Sequence, residues 1–317
     1  MSAVRLETTI GGGLRLKNPV LTASGTCGYG LEFDGYMDVA RLGGVVVKGL
    51  SPLPRAGNPP ERIVQTPSGM LNAIGLQNIG VRAFVSERLP LLRERGVTVV
   101  ANIYGESVEE YRTVAEALHA ADGVAAVEIN LSCPNTAEGG MAFGVDPKAV
   151  SRVTRAVKDA FPGPVLVKLT PNVTDITQIA RAAVDAGADG LSLINTYVGM
   201  VVDVERRRPV LANATGGLSG PAIRPLAVWL VHQVSRAVKV PVTGIGGIAC
   251  GRDALEFIIA GASAVQIGTV SFHTPDAAVK ILEEIEAWCE SHGVADLREL
   301  IGSIRIPPGR GGSQENR

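Results

Sequence analysis

The stretch VAAVEINLSCPN, residues 124–135, decides how the chain folds. Its first seven residues alternate and are rich in Val and Ala with one Ile, as a buried β-strand requires, and it then breaks into Asn130, Ser132, Cys133, Pro134 and Asn135. After it comes DPKAVSRVTRAVKDAF, which has helical period, and then another apolar run, PVLVKL (164–169). Before it, VTVVANI (97–103) and the helical SVEEYRTVAEALHAA form the same unit. A strand, a helix and a further buried strand make a parallel crossover.

The same pattern extends in both directions. Strands are expected at PVLTA (19–23), GVVVK (44–48), GLSLIN (190–195), PVTGIG (241–246) and SAVQIG (263–268), which with the three above makes eight. Helices are expected at VRAFVSERLPLLRERG, DITQIARAAVDAG, PAIRPLAVWLVHQVSRAV, GRDALEFIIAG and DAAVKILEEIEAWCESHG, several of them opening on Ser or Asp and stopping at Gly. Residues 31–42 carry only a weak helical signal. Eight repeats favour closure into a (β/α)8 TIM barrel over an open sheet, as one domain over residues 1–306 with a Gly- and Pro-rich tail, 307–317, expected to be disordered. Two connections, Leu50 to Ile79 and Thr196 to Pro221, are too long for bare loops. Both leave from C-terminal strand ends, so they are expected to wall the active-site face.

Composition narrows the class of ligand. Of 317 residues, 30 are Lys or Arg and 31 are Asp or Glu, so no net field draws nucleic acid or an anionic membrane, and a small molecule is the expected partner. The start, MSAVRLETTIGGG, does not read as a secretory signal, and no apolar run approaches the roughly 20 residues of a membrane span. The four cysteines, Cys27, Cys133, Cys250 and Cys289, are far apart with no CxxC pair, so no metal site is expected on this chain and a reducing cytoplasm fits.

In a barrel, strand ends carry the chemistry. Here they present Ser24, Lys48, Asn102, Asn130, Cys133, Lys168, Asn195 and Thr196. A single strand-end lysine commonly snorkels to solvent, but two beside three asparagines make a cationic pocket for an anionic, amide-rich ligand. Strands seven and eight end in TGIGG (243–247) and QIGT (266–269). These glycines either make tight turns or let backbone N–H groups approach a phosphate. Cys27, Cys250 and Cys289 read as small buried hydrophobes, whereas Cys133 precedes Pro134 and the run EGGMAFG (138–144), which reads as a lid. No histidine offers itself as a partner: His119, His232 and His292 fall in helices and His273 after strand eight. Arg206, Arg207 and Arg208 read as a solvated cluster.

Taken together, NLSCPN with GGMAFG, SGMLNAIGLQN (68–78), VVVKG, LVKLTPN (166–172), LINT (193–196), GGLSG (216–220), GIGG and QIGT resemble the dihydroorotate dehydrogenases, flavin enzymes of pyrimidine synthesis. SGMLNAIGLQN is most similar to the class 1B, NAD-linked catalytic subunits. Cysteine at 133 and the absence of an N-terminal membrane-associating extension disfavour the quinone-linked enzymes.

The resemblance implies that dihydroorotate loses its C5 proton to Cys133 and its C6 hydride to N5 of FMN. It implies flavin contacts from Ser24, Gly49, Asn102, Ile194 and Gly220, with Gly246, Gly247, Gly268 and Thr269 near the phosphate. By the same resemblance Asn130 would touch flavin and substrate, Lys48 would sit where the two meet, and Lys168 would face the flavin N1/O2 edge. Asn72, Ala73, Ile74, Gly75 and Leu76, with Asn195 and Thr196, would hold the pyrimidine ring and carboxylate. This chain has neither CxxC spacing nor a GxGxxG dinucleotide unit. FAD and a 2Fe–2S cluster are therefore expected on an electron-transfer partner, in a heterotetramer of two plus two subunits. The alternatives are a self-sufficient fumarate-linked homodimer, a Schiff-base barrel using Lys168, and a flavin-binding scaffold without catalysis.

Overall fold

The computed structural model describes residues 4–131, 134–135 and 141–307. Cys133 and most of the tail, 308–317, lie outside the described residues. Eight parallel strands close a (β/α)8 barrel: β1 (Val20–Thr22), β2 (Gly44–Val46), β3 (Val99–Ile103), β4 (Val124–Asn130), β5 (Val165–Leu169), β6 (Gly190–Leu193), β7 (Val242–Ile245) and β8 (Ala264–Ile267). Each pairs with the next, and β8 closes the ring by setting Gln266 opposite Leu21 of β1.

Because side chains alternate along a strand, the barrel interior is filled in layers. The bottom layer is apolar: Leu21, Val46, Val100, Ala126, Leu166 and Ala264 pack with Ile10 and Leu16, and the hairpin of Thr8–Thr9 with Arg15–Leu16 supplies Leu16. Two residues further along the strands the interior turns polar, with Asn102, Glu128, Lys168 and Gln266 all buried. Register sets Asn102 beside Glu128, and Lys168 beside Asn130. Outward-facing residues such as Val45, Val99, Val127, Val165 and Leu191 join the main core shared with the helices.

The helices are α1 (81–94, with a wider turn at Phe84–Arg88), α2 (Val108–His119), α3 (Pro147–Ala160), α4 (Ile176–Asp185), α5 (Arg224–Ala237), α6 (Gly251–Ala260) and α7 (Ala277–Ser291). Ser107, Asp146 and Asp175 cap α2, α3 and α4 through side-chain oxygens that accept backbone N–H bonds, as the sequence implied. The weak signal at 31–42 yields no α-helix. It folds as two short 3-10 turns, Leu31–Phe33 and Val39–Arg41, in a stretch punctuated by Gly28, Gly30 and Gly35 with positive φ.

The two long connections meet. Ile63–Thr66 and Gly69–Asn72 from the first, with Tyr197–Gly199 and Gly216–Ser219 from the second, form one four-stranded antiparallel sheet. Leu71 pairs with Leu218 at the junction. Among the described residues, no helix is long and apolar enough to cross a membrane.

Candidate functional site

A cavity of about 980 Å³ opens at the C-terminal ends of the strands, walled by this four-stranded sheet. Its floor is the polar layer. Glu128 is fully buried, and its carboxylate accepts from Nδ2 of Asn102 at 2.7 Å through Oε1 and from Nε2 of Gln266 at 2.6 Å through Oε2. The Lys168 ammonium lies 4.0 Å from Oε1. A buried carboxylate is costly without partners, and here two amide donors and a cation supply them. With both donors committed to Glu128, Oδ1 of Asn102 and Oε1 of Gln266 remain buried with no hydrogen-bond partner among the described residues. Both residues line the cavity.

At the mouth stand Lys48, Asn130, Asn195 and Thr196. Asn195 donates from Nδ2 to Oδ1 of Asn130 at 3.2 Å and accepts from the Thr196 backbone N–H at 2.9 Å. Asn172 braces the same turn, donating to Thr196 O at 2.9 Å and accepting from Val198 N at 3.0 Å. Burial depresses the Lys48 ammonium below the ordinary lysine range, helped by the nearby cations Arg62 and Lys168. Among the described residues no carboxylate pairs with Lys48, whereas the charge of Lys168 is offset by Glu128.

Asn72, Ala73, Ile74, Gly75 and Leu76 form one wall. Leu76 has φ of +57°, a left-handed conformation costly for a side chain with a Cβ. Its carbonyl is held by two donors, Tyr104 Oη at 2.9 Å and Asn78 Nδ2 at 2.9 Å. Asn78, itself buried, also donates to Tyr104 Oη and accepts from Gly80 N. The strained wall is fixed from behind by a polar clamp.

The opposite end is lined by Gly220, Gly246, Gly247, Gly268 and Thr269, with Ser24, Gly49 and Ile194 along the side. Gly247 has φ of +75°, and a Cβ there would lie 2.7 Å from Gly220 O and 3.0 Å from Arg224 N. Only glycine leaves this backbone cradle open. Arg224 pairs with Asp253 and Glu256, so its charge is already engaged beside the cradle.

Every expected site residue within the described part therefore lines one cavity; Cys133 lies outside the described residues. Sequence reasoning missed Glu128 and Gln266, although a glutamate at the interior-facing position two before Asn130 was a visible signal. It also passed over Arg62 and His273, which line the cavity, and the clamp of Tyr104 and Asn78. Cys27 and Cys289 are buried as expected, but Cys250 is only half-buried because it opens α6 at the surface. Among the described residues, no group of three or more His, Cys, Asp or Glu side chains is placed to hold a metal ion.

A family profile described as "Dihydroorotate dehydrogenase" matches residues 5–288. A protein of Geotalea uraniireducens is 55% identical over 292 residues, covering 92% of this chain and 96% of its own. One of Geobacter sulfurreducens is 55% identical over 294 residues, covering 93% and 96%. One of Trichlorobacter lovleyi is 56% identical over 293 residues, covering 92% and 96%. All three are described as the catalytic subunit of dihydroorotate dehydrogenase B (NAD(+)).

Proposed function

Since the chain belongs to the dihydroorotate dehydrogenase family, we infer from its cavity how it oxidises dihydroorotate to orotate in pyrimidine biosynthesis, with NAD+ as the final acceptor. Flavin chemistry comes with the family, and the flavin we assign to this cavity is FMN, one per chain. Three features of the cavity suit it. The glycine cradle at Gly246 and Gly247 matches a phosphate, the unpartnered oxygens of Asn102 and Gln266 match an N–H edge of the ring, and Lys168 offers a cation beside them. When bound, FMN supplies the acceptor for the hydride leaving C6 of dihydroorotate.

The chain's own groups do the rest. Lys48, half-buried and with no carboxylate partner among the described residues, attracts the anionic substrate. Asn130 and Asn195, each orienting the other, present amide groups to the pyrimidine ring, and the clamped wall from Asn72 to Leu76 holds its far side. The sheet made by the two long connections screens the site from water. Cys133 we propose as the base that takes the C5 proton on Sγ. That role rests on its place in NLSCPN, since its position lies outside the described residues.

The relatives' description as a catalytic subunit implies a separate partner subunit. We propose that this partner carries FAD and a 2Fe–2S cluster, in a cytoplasmic heterotetramer of two plus two. The widely separated cysteines of this chain support the division of labour. The observation that carries the functional reading is the convergence of Lys48, Asn102, Asn130, Asn195 and Gln266 on one cavity. The test is steady-state orotate formation with NAD+, with and without an added iron–sulfur flavoprotein subunit. Turnover only with that subunit is expected. Fumarate-driven turnover by this chain alone would favour the fumarate-linked homodimer instead.

A further inference from the structure

We propose that Glu128 is a positioning residue of the redox site: its carboxylate turns Asn102 and Gln266 so that both present acceptors to the cavity, and it damps the field that Lys168 exerts there. The proposal rests on the flavin reading above.

Asn and Gln each carry a donor end and an acceptor end, and which one faces the cavity depends on the partner behind. An ionised carboxylate only accepts. With Oε1 taking Nδ2 of Asn102 and Oε2 taking Nε2 of Gln266, both donor ends are committed to the carboxylate, and both carbonyl oxygens are left buried with no hydrogen-bond partner among the described residues, in two side chains that line the cavity. The two amides come from β3 and β8, which do not adjoin in the barrel, so one group spans the interior to align them. A purely structural requirement would be met more cheaply by an apolar side chain, as Leu166 meets it one layer below.

Glu128 is fully buried and its Oε1 lies 4.0 Å from Nζ of Lys168, itself 7% exposed. In so dry a place the anion offsets much of the cation's field. Lys168 therefore acts on a ligand beside it as a moderated charge.

Two variants separate the two roles, with the FMN-loaded chain as the reference. Glu128→Gln nearly preserves shape but removes the charge. The flavin midpoint potential, measured by equilibrium reduction against reference dyes, should become more positive, because an unbalanced Lys168 favours the more negative reduced ring. Adding Lys168→Met to this variant should reverse most of the shift. Glu128→Asp keeps the charge but withdraws it by one methylene from the amides, and it should weaken FMN binding about tenfold while leaving the potential nearly unchanged. An unchanged potential in Glu128→Gln overturns the charge role, and unchanged FMN affinity in Glu128→Asp overturns the aiming role. Should Glu128→Gln not fold, Glu128→Asp decides the aiming role alone and its FMN affinity still rules for or against the proposal. A wild-type chain that takes up no FMN would instead contradict the flavin reading itself.

Discussion

Asn195 donates from Nδ2 to Oδ1 of Asn130 at 3.2 Å, joining the ends of β4 and β6, two strands that are not neighbours in the barrel. The bond spans the mouth above β5 and fixes which end of each amide faces the ligand. Removing either partner takes away one restraint on the orientation of the other. Asn195→Ala and Asn130→Ala should each raise the KM for dihydroorotate by roughly tenfold, and the double variant should cost less than the product of the two. Steady-state kinetics on the four proteins check this. Fully multiplicative effects would show that the two amides act independently.

Lys48 supplies a pH dependence. Burial, reinforced by Arg62 and Lys168, holds its ammonium below the ordinary value of 10.5. Its folded-state pKa being lower than its unfolded one, the charged form weakens the ligand-free fold at neutral pH. That penalty fades as pH rises from the lowered value toward 10.5. Lys48→Met should therefore raise the melting temperature of the ligand-free chain near pH 7, while weakening orotate binding about tenfold or more. In the wild type, orotate affinity should fall with rising pH before the ordinary lysine range is reached. Calorimetry across pH reads both.

Tyr104 and Asn78 hold the Leu76 carbonyl and with it a left-handed residue in the substrate wall. Tyr104→Phe removes one of the two donors without changing shape. The account expects a rise in KM of about threefold to tenfold with little change in kcat, because the wall binds but does not react. An equal fall in kcat would assign the wall a role in the transition state.

The eight strands were legible because a barrel strand buried on both faces becomes an apolar run with polar ends, as in VAAVEIN and PVLVKL. The polar ends were legible for the same reason, which is how Lys48, Asn102, Asn130 and Lys168 came to be noticed. Glu128 was hidden inside such a run. Its meaning depends on Asn102 and Gln266, which stand 26 and 138 residues away and meet it only after closure. The sheet over the mouth was equally out of reach, since GMLN and GGLS have little strand propensity and are held by pairing with each other. The positive-φ glycines between 28 and 35 mark where a helical pattern was too weak to propagate.

Cys27 is buried, and that burial, with Glu32 nearby, pushes its thiol up to about 12. Brief alkylation of the native chain near pH 8 should leave Cys27 unmodified while Cys250, half-buried at the start of α6, reacts. Peptide mass mapping before and after unfolding distinguishes them. Equal labelling of both in the native state would contradict the packing around β1.

The most direct test of the central claim is anaerobic addition of dihydroorotate to the isolated, FMN-loaded chain while its visible absorbance is followed. The account predicts that the oxidised flavin band bleaches with one orotate formed per flavin, and that Cys133→Ala retains FMN but bleaches at least about a hundredfold more slowly. A wild-type band that stays oxidised, with FMN demonstrably bound, would contradict the account.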